Sequence, residues 1–102
     1  MSKCSCGLDS GYVFSRFTHL ENELAKDKPD FHIANARLDD LRISGVERVG
    51  NACGLDVLVE KVLLDEAKKD LYDRNYDSAR QRVRNADFQL WNKLLKCAWG
   101  EE

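Results

Sequence analysis

Apolar residues along this chain recur at three- and four-residue steps between short polar joints, and that spacing predicts four helical stretches. The first covers residues 10–26. Val13, Phe17, Leu20 and Leu24 place one apolar face on it, and Asp9 or Ser10 offers a short oxygen-bearing side chain for the unpaired N–H groups of its first turn. Pro29 closes it, because the residue before a proline is pushed out of helical geometry. The second stretch starts near Asp30, an N-cap type of residue, and carries Phe31, Ala34, Leu38 and Leu41 on one stripe. It then meets Ser44-Gly45-Val46-Glu47, the Ser-x-x-Glu form of a capping box, so a kink or a fresh start is expected at Ser44. Val46, Val49 and Ala52 or Cys53 extend a short stripe, and Gly54 suits a C-terminal cap.

The third stretch, residues 56–73, opens with Val57-Leu58-Val59-Glu60-Lys61-Val62-Leu63-Leu64, apolar on nearly every side. Its β-branched residues would suit a strand, but no second strand candidate exists to pair with it, and Leu64, Ala67 and Leu71 continue a helical period. The expectation is the most buried helix of the fold. The fourth stretch, residues 77–99, has the clearest amphipathic pattern, with Ala79, Val83, Ala86, Leu90, Leu94 and Cys97 on one stripe. The joint Arg74-Asn75-Tyr76 before it is short enough to require an antiparallel hairpin. The fold expected is all-α: one domain over residues 1–102, a four- to five-helix bundle with a C-terminal helical hairpin, and a Cys-containing N-terminal segment over residues 1–8.

Ala67, Asn75-Tyr76-Asp77, Ala79, Val83 and Ala86 together resemble the inner part of a tetratricopeptide helical hairpin, where small residues let two helices approach closely. The resemblance covers about a third of the chain, and no family is assigned on it. Arg74 stands where that pattern has glycine, and Trp91 where a proline often follows. A single such repeat is too small to bury a core alone.

Composition narrows the function classes. Hydrophobic residues at 43% and charged residues at 33% fit a globular chain and suit neither a disordered nor a membrane-embedded one. The net charge of -2 is spread evenly, with a net of -1 in residues 1–54 and again in residues 55–102, so no basic arm or acidic tail stands out. No stretch approaches the ~20 apolar residues that span a bilayer, and the N-terminus lacks the apolar core of a signal peptide. A cytoplasmic address is therefore expected, with the four cysteines reduced.

Three surfaces are candidates for chemistry or binding. Phe88, Trp91, Leu95 and Trp99 form a second apolar stripe beside the main one on the last helix. Aromatic excess of this kind is favoured at protein–protein interfaces, although the first helix or the N-terminal segment could cover the same stripe within one chain. Cys4 and Cys6, with Cys53, Cys97 or His19 as further ligands, could bind zinc or act as redox thiols, but a Cys-x-Cys pair supplies only two of the four ligands a structural zinc needs. Arg80 and Arg84 share a face that could meet nucleic-acid phosphates, while Asp70, Asp73, Asp77 and Asp87, interleaved with the arginines, favour a salt-bridged surface instead.

No enzyme motif is present. His19 and His32 lie outside metal and triad patterns, and Asp39-Asp40 point about 100° apart on a helix. The expectation is a non-enzymatic interaction module without a resident cofactor. It would self-associate or bind a partner protein through Phe88, Trp91, Leu95 and Trp99, with Cys4/Cys6 metal or redox chemistry as the alternative and Arg80/Arg84 nucleic-acid binding as the weaker one.

Overall fold

The structure, a computed structural model, describes the backbone of residues 7–98 and the side chains of residues 11–96. It contains α1 (Gly7–Leu24), α2 (Phe31–Asp40), a π-helical segment (Leu41–Glu47), α3 (Arg48–Cys53), α4 (Leu58–Tyr72) and α5 (Tyr76–Ala98). No strand occurs among the described residues. α2, the π-helical segment and α3 follow one another without a break, so the chain forms four rods.

Each rod touches two others. α1 lies against α5 and α2, and α4 lies against α5 and α2, giving a square bundle in the order α1, α2, α4, α5. The bundle measures 46 × 20 × 18 Å. Its core is built from the expected stripes. Val13, Phe17 and Leu20 of α1, Leu64 and Ala67 of α4, and Ala79, Val83, Ala86 and Leu90 of α5 have no solvent exposure at all. Ala79, Val83 and Ala86 keep the α4–α5 hairpin close, and Arg82 ties its two rods by bonding Glu66 at 2.9 Å and Asp70 at 2.8 Å.

The joints follow their local chemistry. Asp30 caps α2, its Oδ1 accepting from the Ile33 N–H at 3.1 Å. Glu23, buried at the end of α1, accepts from the Asp30 N–H at 3.0 Å and from Lys26 Nζ at 2.9 Å, fixing the α1–α2 turn. Gly54 closes α3 in the left-handed region at φ 66°. In the tight α4–α5 joint Arg74 takes φ 59°, a left-handed conformation that glycine adopts most readily. Its guanidinium lies 4.0 Å from the Phe31 ring centroid and donates to the Leu71 carbonyl at 3.2 Å. These contacts hold a residue that backbone sterics disfavour.

Several expectations are corrected. α1 begins at Gly7, so Asp9 and Ser10 lie inside the helix and neither is its N-cap. Ser44 and Glu47 do not form a capping box. The rod passes through them in π-helical geometry, and Gly45 is buried against α1, where an added Cβ would meet Val13 Cγ2 at 3.1 Å. The absence of a side chain at Gly45 lets the two rods close at this point.

α4 is not the most buried helix. Leu58, Val59 and Val62 are 61%, 53% and 47% exposed. A rod at the corner of a square bundle buries only the side facing the core, so an all-round apolar sequence leaves apolar residues in solvent. Conversely Glu60, within the same apolar run, has no exposure. Cys53 is disulfide-bonded, which overturns the expectation of a reduced thiol at that position. Compartment chemistry fixes the prior for a thiol, whereas the fold decides which sulfurs meet.

Candidate docking surface on the last helix

The described part of the second stripe lies along the seam between α1 and α5. Asp87 and Trp91 are four residues apart on α5 and face α1, while Phe88 turns further outward. Trp91 packs edge-on against Phe14 of α1, ring centroids 5.0 Å apart at 77°, and Phe14 in turn stacks on the buried Phe17 at 6.0 Å. α1 therefore covers part of the stripe, as packing within one chain would require. The cover is incomplete: Trp91 remains 46% exposed, Phe88 is 64% exposed and Leu95 is half-buried. Trp99 lies outside the described residues.

Beside these rings the seam opens into a cleft of about 360 Å³ lined by Glu21, Arg84, Asp87, Phe88 and Trp91. Glu21 of α1 and Asp87 of α5 are half-buried and hydrogen-bonded to each other. Burial pushes the Glu21 carboxyl up to about 7, the hydrogen bond to Asp87 and its negative charge push the same way, and Arg84 and Arg80 pull back. Burial also raises Asp87, opposed by the Glu21 hydrogen bond and by Arg84. Burial and the mutual repulsion of the two carboxyls thus favour a proton retained between them. Arg80 and Arg84 act on it from a distance, because neither forms an ion pair among the described residues.

The other candidates are scattered by the fold. Arg82, and not Arg80 or Arg84, is the arginine neutralised across the hairpin. His19 is exposed on α1 beside a small pocket of about 150 Å³ with Arg16, Arg37 and Asp40. Cys53 sits half-buried at the end of α3 and is disulfide-bonded. Cys4 and Cys6, and the side chain of Cys97, lie outside the described residues. Among the described residues no group of three or more His, Cys, Asp or Glu side chains is placed to hold a metal ion, and no helix is long and apolar enough to cross a membrane.

Glu21 and Asp87 were missed as members of this site. The signal was present in Arg80, Arg84, Asp87 and Trp91, whose steps of four, three and four put them on one face of α5. What the spacing lacks is the partner rod, and only the packing of α1 sets Phe14 and Glu21 opposite that face.

Set against family models, curated proteins and solved structures, the chain matches none of them.

Proposed function

We propose that this protein is a non-enzymatic helical interaction module that docks a protein partner on the α1–α5 seam through Phe88, Trp91 and Leu95, with Trp99 continuing the stripe in sequence. One observation carries the reading. In a bundle whose core stripes are closed, the aromatic side chains of α5 stand open around a cleft. Burying a large ring releases more apolar surface from water than any other side chain, and a polar rim such as Glu21, Arg84 and Asp87 fixes orientation.

The test is substitution of Phe88 and Trp91 by alanine, with association followed by analytical ultracentrifugation and helicity by far-UV circular dichroism. Phe88→Ala should cut association with helicity unchanged. Trp91→Ala should cut it too, with some loss of stability through the Phe14 contact. Loss of folding in both variants, or full association in both, would remove the basis of the proposal.

A thiol-redox role is the second reading, favoured by the disulfide at Cys53. It expects association or activity to change on reduction, and a Cys53→Ser variant to behave like the reduced protein under oxidising conditions. Identical behaviour of the two forms would dismiss it.

A further inference from the structure

The chain carries two exposed surfaces that complement each other. One is the α1–α5 cleft, with two adjacent carboxyls and two open aromatic rings. The other is the outward face of α4, where Leu58, Val59 and Val62 are exposed around Lys61. Leu58, Lys61 and Val62 are three and four residues apart and so form one patch on a helix. Lys61 makes no ion pair among the described residues, since its i+4 neighbour Asp65 is held by Arg42 at 2.7 Å.

We infer that the occupant of the cleft is a second copy of this chain, which presses the Leu58/Val59/Val62 face of α4 onto Phe88 and Trp91 and seats Lys61 between Glu21 and Asp87. The inference rests on the docking role proposed for the cleft and names its partner. The complementarity is both apolar and electrostatic, with Arg84 the one like charge among the residues lining the cleft. Apolar side chains meet aromatic rings, and an unpaired ammonium meets two carboxyls that lack a contacting cation. An ammonium beside Trp91 and Phe88 also gains cation–π attraction. Each copy bears both surfaces, so two copies can satisfy each other reciprocally.

Seating Lys61 requires the proton shared by Glu21 and Asp87 to leave for solvent, giving two carboxylates around one ammonium. The charged groups facing Glu21 are Asp87, Arg84 and Arg80, all on α5, and none of them can replace that proton by direct contact in the isolated chain. Association should therefore strengthen as pH rises through neutrality. With Lys61 changed to glutamine this pH dependence should disappear.

The experiment is sedimentation of the full chain over a range of concentrations, with and without reductant, as wild type, Lys61→Glu, Glu21→Lys and an equimolar mixture of the two variants. All should show unchanged far-UV circular dichroism. Wild type should self-associate, each charge-reversed variant should associate about tenfold more weakly, and the mixture should recover wild-type association because each reversed charge then meets its opposite. A wild type that stays monomeric throughout, or a mixture no stronger than its components, overturns the inference. The two readings fail differently. If the charge reversals change nothing while Phe88→Ala abolishes association, the aromatic surface stands and the Lys61 contact is wrong. If Phe88→Ala and Trp91→Ala also leave association intact, the docking surface itself is refuted.

Discussion

Lys93 Nζ lies 2.9 Å from Glu60 Oε1, and Glu60 has no solvent exposure. The ammonium also donates to the Asp56 carbonyl at 2.6 Å, so one lysine of α5 secures both the start of α4 and the carboxylate buried one turn later. Only one oxygen of Glu60 is served, because Oε2 is buried without a hydrogen-bond partner. A charge in this position is costly to leave alone.

Lys93→Met should therefore destabilise the fold by about 2–4 kcal/mol, somewhat under the ~3–5 kcal/mol expected for a fully buried pair because Lys93 is itself partly open to water. Adding Glu60→Leu to that variant should restore most of the loss, since an apolar pair of similar volume needs no compensation. Urea unfolding of the two singles and the double gives the coupling directly. Additive effects would mean that the two groups do not depend on each other.

The pH dependence of stability should have two opposing limbs. Hydrogen bonds from the Asp30 N–H and Lys26 hold the Glu23 carboxyl below its ordinary 4.5. A depressed carboxyl stabilises the fold above its unfolded value, and that stabilisation disappears as pH falls through the folded one. Glu21 is raised from 4.5 to about 7, so the folded chain binds more protons than the unfolded chain between those values and stability falls as pH rises across them. Glu21→Gln should flatten the upper limb, and Glu23→Gln should weaken the lower one. Thermal melts across this range check both, and a melting temperature that climbs from 4.5 to 7 in the wild type would contradict the assignment of the shared proton.

Gly50 should tolerate no side chain. A Cβ there would sit 2.7 Å from Val57 Cγ2 and 3.3 Å from the Leu55 carbonyl oxygen. Gly50→Ala should cost about 1–3 kcal/mol, as overpacking of a closed core does. In a Val57→Ala background the added cost should shrink, because the nearest obstructing atoms are gone. An equal cost in both backgrounds would trace the effect to the carbonyl.

Arg74→Gly should change stability little in the wild type, since relief at φ 59° is offset by loss of the Phe31 and Leu71 contacts. In a Phe31→Leu background the same substitution should be stabilising, by about 1 kcal/mol, the scale of the left-handed penalty. Chemical denaturation of the four proteins in this cycle decides it. A destabilising Arg74→Gly in both backgrounds would mean that the contacts to Phe31 are not what holds the residue.

The all-α architecture was legible because the α1 and α5 stripes repeat over many turns, and every described member of them is buried. Asp30 and Gly54 were legible for a different reason, since a cap is decided by the few residues around it. What escaped were outcomes set by neighbours distant in sequence. Leu58 and Glu60 both sit in an apolar run, and which one faces the core depends on where α5 and α2 approach α4. Phe88 and Trp91 were identifiable as surplus apolar surface, but Glu21 became their neighbour only through the α1–α5 seam. The capping box at Ser44 did not form because its two residues are compatible with more than one helical geometry, and the rod there is π-helical with Gly45 packed against α1.

That wider turn amounts to stored length. A π-helical segment bonds five residues apart where an α-helix bonds four apart, so it holds surplus chain without disturbing the rods on either side. Deleting one residue from within 41–47 should draw the middle rod into an unbroken α-helix while the stripes before and after it stay in phase. The same deletion in α2 or α3 would rotate everything downstream by about 100° and turn the core face toward water. The middle of this bundle is thus the one stretch of that rod where the chain can change length and keep its register.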